Sequence, residues 1–166
     1  MQRKGWRILK DAVCKGIAQT SWPGRFEVVA ANPTFIVDGG HNPQGACALA
    51  ETLDDVLPGE RVIFVMGVLA DKDYTSMIKA VLPYARAFIT FAPPNPRALS
   101  ATDLAQTIRS LAQEHIETCE AAEAVEIREA ASAAQAIKCA REMAGADDVI
   151  VAFGSLYSVA ALKATL

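Results

Sequence analysis

Phe35, Ile36 and Val37 form an uninterrupted apolar run that stops at Asp38, passes through Gly39, Gly40 and His41, and meets Asn42-Pro43. Few stretches restrict a fold so strongly. A continuous apolar run with no polar alternation predicts a strand covered on both faces, the condition of a parallel sheet. Asn42 is a favourable helix N-cap and Pro43 a favourable first helical residue, so a helix is predicted to begin there. The two glycines between them let the backbone turn sharply or approach a ligand closely. Asp38 and His41 are thereby placed at the carboxyl end of a strand, beside a helix N-terminus. In open α/β sheets that edge binds ligands, and the helix end favours anionic groups.

The remaining chain repeats the pattern. Apolar runs at 61–66, 87–91 and 149–153 predict further strands, with short ones at 26–29 and 125–127 and a turn at Asn32-Pro33. A helix over about 43–57 should bury Ala46, Leu49, Ala50, Leu53 and Val56. Others should start near Asp73 (burying Met77, Ile78, Val81 and Leu82), Ser100 (Leu104, Ile108, Leu111), Ser132 (Ile137, Ala140, Met143) and Ser155. Residues 114–123 read equally as helix or loop. Residues 6–18 carry Ile8, Leu9, Ala12, Val13 and Ile17 at helical spacing, and 19–25 break that pattern as a linker. The expected fold class is α/β: a Rossmann-like, mostly parallel sheet with helices on both faces.

Composition narrows the function classes. A chain of 166 residues with 52% hydrophobic residues is long and apolar enough for one domain with a full core. A net charge of −3 and an isoelectric point near 5.4 give no electrostatic case for nucleic acid or an anionic membrane. No apolar stretch approaches the roughly 18–20 residues of a membrane helix. Cys14, Cys47, Cys119 and Cys139 lie far apart without a CxxC pair, which argues against a zinc site and a disulfide framework and fits the cytoplasm. The GxxxxGK[ST], GxGxxG and GxSxG patterns are all absent, so the chain has no phosphate-binding P-loop, dinucleotide fingerprint or nucleophile elbow of its own.

Four loops follow strand carboxyl ends: Asp38–Asn42, Gly67–Tyr74, Ala92–Leu99 and Gly154–Tyr157. Each has an ordinary structural reading. Asp38 serves equally as a helix cap, His41 as a structural histidine, Arg97 as a brace for a proline-rich loop and Ser155 as an N-cap. His115, on a helix end with no partner in sequence, reads as exposed. Their common edge is what raises the functional reading, because one ligand there reaches all four loops.

The motifs WPGRFEVV (Trp22–Val29), DGGHNPQG (Asp38–Gly45), MGVLADKDY (Met66–Tyr74), NPRAL (Asn95–Leu99) and FGSLYSV (Phe153–Val159) together resemble the C-terminal domain of folylpolyglutamate synthases and bifunctional dihydrofolate synthases, members of the Mur ligase superfamily. The resemblance covers nearly all of the chain from Trp22 onward. Gly40 departs from it, since the family usually has alanine there, and that change is expected to loosen the turn. The resemblance implies an ATP-dependent amide ligase: a folate or pteroate carboxylate is phosphorylated to an acyl phosphate, which the amine of L-glutamate attacks. It implies that the P-loop, the Mg2+ ligands and most of the folate site belong to a preceding P-loop ATPase domain, that this chain covers the ATP and presents the incoming glutamate, and that alone it holds no cofactor or metal and is inactive. Residues 1–21 would be a linker helix from that domain and 22–166 the glutamate ligase domain. With the preceding domain absent, the apolar stripe of residues 8–17 is expected to fold back on the domain or pair with a second copy.

By the same resemblance Arg25 contacts the ATP phosphates, Asp38 binds the nucleotide, His41 lies near the acyl phosphate and the incoming amino acid, Ser155 helps hold glutamate, and Arg97 holds its carboxylate. Two alternatives stand beside this reading: another Mur-type ligase, such as a muramyl-peptide or cyanophycin synthetase, and a stand-alone Rossmann-like binding module without catalysis. Replacing Asp38 or His41 is expected to change stability by only about 0.5–1 kcal/mol.

Overall fold

The computed structural model describes residues 9–20, 22–120 and 122–165. Six strands, β1 (Glu27–Ala30), β2 (Thr34–Val37), β3 (Val62–Met66), β4 (Ala85–Thr90), β5 (Glu126–Glu129) and β6 (Val149–Phe153), form one sheet in the order β1-β2-β6-β3-β4-β5. Every pairing from β2 across to β5 is parallel, and β1 closes the edge antiparallel to β2. Parallel neighbours need crossover connections, and helices supply them. These are α2 (Pro43–Val56), α3 (Tyr74–Val81), α4 (Ala101–Thr118) and α5 (Ala133–Met143), and α6 (Leu156–Lys163) follows the last strand.

Alternation along the strands divides the core into two layers. Ile36, Phe64, Phe88, Val151 and Phe153 point to one face, where Leu49 and Leu53 of α2, Met77 and Ile78 of α3 and Leu104 and Ile108 of α4 cover them. Phe64 stacks on Phe88 at 5.2 Å between ring centroids and meets Phe153 edge-on at 5.3 Å. Phe35, Val37, Ile63, Val65 and Ile89 point to the other face, under Ala136 and Ile137 of α5 and Val159 and Leu162 of α6. Both faces of the central strands are thus dry, which is why those strands read as unbroken apolar runs.

The helix starts carry the caps expected of them. Asn42, Asp73, Ser100 and Ser132 each accept a hydrogen bond from the backbone N–H three residues on. Residues 114–118 complete α4. Val56 is a correction: it is 57% exposed, and Leu57 packs against the core in its place. Four residues after Leu53, Leu57 returns to the buried face, whereas Val56 falls on the solvent side.

Of the two outcomes expected for the N-terminal stripe, fold-back on the domain does not occur among the described residues. Helix α1 (Lys10–Ala18) buries none of its residues, and Leu9 and Ile17 are 72% and 71% exposed. Five other helices already cover the two faces of the sheet. Ile8 lies outside the described residues. Among the described residues no helix is long and apolar enough to cross a membrane.

Candidate functional site

The carboxyl ends of β2, β6, β3 and β4 lie side by side in the sheet. The chain leaves β2 through α2 and re-enters at β3, skipping the place that β6 later fills. This strand-order discontinuity is where open α/β sheets form ligand crevices. Backbone hydrogen bonds stitch the four loops together there. The Gly154 N–H donates to the Gly40 carbonyl at 2.9 Å, Phe91 N–H to Met66 at 3.1 Å, Leu99 N–H to Val68 at 3.0 Å and Ala70 N–H to Arg97 at 2.8 Å. Gly154 has φ +112°, and a Cβ on it would stand 2.7 Å from the Gly67 carbonyl oxygen. Only glycine lets these loops approach so closely.

A cleft of about 160 Å³ opens between the loops, lined by His41, Leu69, Lys72, Arg97, Gly154, Ser155, Leu156 and Tyr157. That volume lies below the roughly 300–1,000 Å³ of sites that enclose drug-sized ligands, and it suits a compact, charged molecule or one end of a larger one. Three of the five residues singled out in the sequence, His41, Ser155 and Arg97, come together here. The Nδ1 of His41 lies 2.8 Å from the Gly39 carbonyl oxygen. A carbonyl only accepts, so Nδ1 carries the proton and donates it, leaving Nε2 for a ligand. Ser155 is buried at the N-cap of α6, where its Oγ accepts from the Tyr157 N–H at 3.2 Å. Its N-cap reading therefore holds, and its hydroxyl proton still remains to be donated. The Nη1 of Arg97 donates to Asp71 Oδ2 at 2.8 Å.

Asp38 and Arg25 do not line this cleft. Asp38 is 9% exposed, and both carboxylate oxygens accept backbone hydrogen bonds: Oδ1 from Gly40 N–H at 2.7 Å and Oδ2 from Phe26 N–H at 2.9 Å. It does not cap α2, a task that Asn42 performs through Gly45 N–H at 2.8 Å. The near-neutral effect on stability expected of an Asp38 substitution is therefore corrected, because this carboxylate organises two segments of backbone. The Gly40 turn is held by the same carboxylate through the Gly40 N–H. A Cβ on Gly40 would crowd Asp38 Oδ1 at 2.9 Å and the Gly45 carbonyl at 3.3 Å.

Arg25 is exposed on the neighbouring turn, Trp22–Phe26, which docks through the Gly39 N–H on the Gly24 carbonyl at 2.6 Å. Its Nη1 lies 3.5 Å from where a Cβ on Gly39 would stand, and Leu156 Cδ2 lies 2.6 Å from the same point. Arg25 and the cleft residue Leu156 thus meet over Gly39, so the Arg25 turn borders the His41–Ser155–Arg97 cleft. Glu27 ties the Arg25 turn to α6. Lys163 Nζ donates to its two oxygens at 2.8 and 2.9 Å, and Gly24 N–H to Oε2 at 2.6 Å. The lysine first and the amide second hold the Glu27 carboxyl below its ordinary range. At the cleft's other border Asp73, the cap of α3, is also held below its ordinary range by its hydrogen bonds to Ser76.

Lys72, Leu69, Leu156 and Tyr157 are lining residues that sequence reasoning missed. Lys72 lay inside a stretch already singled out, and a cation between two aspartates in a loop at a strand's carboxyl end was its one available signal. Ser158 was missed too: fully buried, its hydroxyl donates to the Gly67 carbonyl at 2.8 Å and anchors α6 beneath the cleft. His115, read as exposed, is half-buried on the opposite end of the sheet, beside Cys119 and Pro83. Among the described residues no three His, Cys, Asp or Glu side chains converge as a metal site.

Comparison with known proteins adds the following. The family described as Mur ligase, glutamate ligase domain, matches residues 24–156. The chain is 32% identical over 155 residues to a probable bifunctional folylpolyglutamate synthase/dihydropteroate synthase of Haloferax volcanii, a match covering 93% of this chain and 17% of that protein. Its fold superposes on Escherichia coli FolC in complex with DHPP and ADP with a TM-score of 0.81 and 26% identity, covering 98% of this chain and 36% of that one. A bifunctional folylpolyglutamate synthase/dihydrofolate synthase with Mn, AMPPNP and L-glutamate bound gives a TM-score of 0.77 and 28% identity, over 96% of this chain and 35% of that one. The chain thus spans from 17% to 36% of the length of these proteins.

Proposed function

Because the chain belongs to the Mur ligase family, as its glutamate ligase domain, we propose that it presents L-glutamate to an activated folate carboxylate in an ATP-dependent amide ligase. The observation that carries this reading is the convergence of His41, Ser155 and Arg97 on one small cleft at the sheet's switch point. The similarity to a protein holding L-glutamate together with a nucleotide analogue supports it.

In the proposed reaction a folate-type carboxylate takes the γ-phosphoryl group of ATP, and the amine of L-glutamate displaces phosphate from the resulting acyl phosphate. Arg97 takes a carboxylate of the incoming amino acid, with Lys72 as a second cation in the same cleft. The Ser155 hydroxyl and His41 Nε2 orient the amino acid so that its nitrogen meets the acyl carbon. Arg25, beside Gly39 at the border of the cleft, contacts the nucleotide phosphates, and Asp38 binds the nucleotide and holds the Arg25 turn in place. Acyl transfer between two bound partners gains chiefly from such positioning and charge complementarity.

ATP's magnesium, with the P-loop, is assigned to a preceding ATPase domain. Residues 1–21, with the exposed stripe of α1, form the linker from that domain, and 22–166 the glutamate ligase domain. The location fitting this chemistry is the cytoplasm. The test compares the isolated chain with the longer polypeptide. The longer form should form amide and release ADP and phosphate in step with glutamate incorporation, and the isolated chain should do neither. Ligation by the isolated chain, free of contaminating enzyme, overturns the division of labour.

A further inference from the structure

We propose that Asp71 is a positioning residue for the amino-acid carboxylate, acting through Arg97; the proposal rests on the functional reading above. Two consecutive residues of one turn hold the same arginine. The Ala70 N–H donates to the Arg97 carbonyl at 2.8 Å, and Asp71 Oδ2 accepts from Arg97 Nη1 at 2.8 Å. The Arg97 N–H is fixed as well, by Asn95 Oδ1 at 2.9 Å. Around it, Pro93, Pro94 and Pro96 restrict the backbone of the loop. Leu69 and Ala98 pair as an isolated antiparallel bridge, so the loops after β3 and β4 meet as a miniature ladder at the cleft mouth.

The ion pair is open to solvent, with 58% of the Arg97 side chain and 46% of the Asp71 side chain exposed. Exposed pairs of this kind contribute little to stability, so Asp71 is poorly explained as a structural brace. One contact uses one of the five N–H donors of the guanidinium, and the others remain for a ligand carboxylate. An arginine already held at its backbone and at one nitrogen loses little freedom when a carboxylate arrives, which is how a preformed site gains affinity. Asp71 therefore sets the geometry of the cation and leaves its capacity to bind intact.

The experiment uses the longer polypeptide with Asp71→Ala, Arg97→Ala and the double variant, measuring KM for L-glutamate, KM for ATP and the melting temperature. Asp71→Ala should raise KM for glutamate by about 3–10-fold, the scale of freeing one immobilised side chain. KM for ATP and the melting temperature should stay as in the wild type. Arg97→Ala should raise KM for glutamate further, and adding Asp71→Ala to it should change nothing more. An unchanged KM for glutamate in Asp71→Ala, or the same rise in the Arg97→Ala background, overturns the proposal while wild-type turnover leaves the functional reading standing. A wild type without glutamate-dependent turnover, or an Arg97→Ala variant with unchanged KM for glutamate, overturns the functional reading itself and the role of Asp71 with it.

Discussion

The carboxylate of Asp38 accepts a hydrogen bond at 2.9 Å from the backbone amide of Phe26, twelve residues earlier in the chain. Phe26 has φ +42°, a left-handed conformation that side chains rarely adopt, so an external acceptor at this point stabilises an otherwise unfavourable turn. With its other oxygen on Gly40 N–H, Asp38 fixes the strand end and the Arg25 turn together. Asp38→Ala should cost about 2–4 kcal/mol, the scale of losing two hydrogen bonds to a buried charged acceptor. Chemical denaturation of the isolated chain measures this. A loss within about 0.5 kcal/mol, ordinary for surface positions, would mean that the turn holds without its carboxylate.

Gly154 and Gly67 make a second such dependence. A methyl group at 154 would meet the Gly67 carbonyl oxygen at 2.7 Å and Val68 Cγ1 at 3.0 Å, at a φ of +112°. The obstacle is backbone, which cannot swing aside as a flexible side chain can. Gly154→Ala should therefore destabilise the domain by about 1–3 kcal/mol, the scale of forced backbone strain. Gly59→Ala is the control: φ is +77° there, but nothing lies within 4 Å of the added carbon. If the two variants melt alike, the close approach of the two loops is not what requires glycine at 154.

Strands β2, β3, β4 and β6 were legible because burial on both faces gives each a run of consecutive apolar residues, and the helix starts because Asn42, Asp73, Ser100 and Ser132 cap locally. The less legible elements are those whose partners are distant. Val125–Ile127 was read as the strand, yet β5 covers Glu126–Glu129, since pairing with Ala87–Thr90 sets the register. The same applies to the site. Asp38, His41, Arg97 and Ser155 stood out from their loops at the strand ends, and motif resemblance added Arg25. The Asp38–Phe26 and Asp71–Arg97 contacts join residues twelve and twenty-six positions apart, and no local pattern encodes them. Lys72 joins the cleft only through the meeting of two loops.

Acid should loosen the Arg25 turn. Lys163 and the Gly24 amide hold Glu27 below its ordinary value of 4.5. A carboxyl depressed in the folded state contributes stability that is fully present above its unfolded pKa and is lost as pH falls through the folded one. The melting temperature should therefore fall as pH drops below the ordinary carboxylate range, with Asp73 and Glu129, also held low by their partners, sharing the loss. Glu27→Gln removes one titrating group, so its melting-temperature deficit relative to wild type should shrink as pH drops. A deficit that stays constant from neutral pH to pH 3 would show that the Glu27 charge is not what ties the turn to α6.

Glutamate incorporation by His41→Ala in the longer polypeptide, measured beside its melting curve, tests the cleft most directly. The imidazole is partly exposed and leaves no core cavity when removed, so stability should change by no more than about 1 kcal/mol. Glutamate-dependent turnover should fall by about 100-fold, the scale of losing one contact to the reacting centre, while nucleotide affinity stays that of the wild type. Leu49→Ala, deep in the α2 layer at 3% exposure, should behave oppositely, costing about 2–5 kcal/mol of stability while its folded fraction keeps full turnover. If the folded fraction of His41→Ala retains wild-type glutamate incorporation, the amino acid is not held in the cleft formed by His41, Ser155 and Arg97.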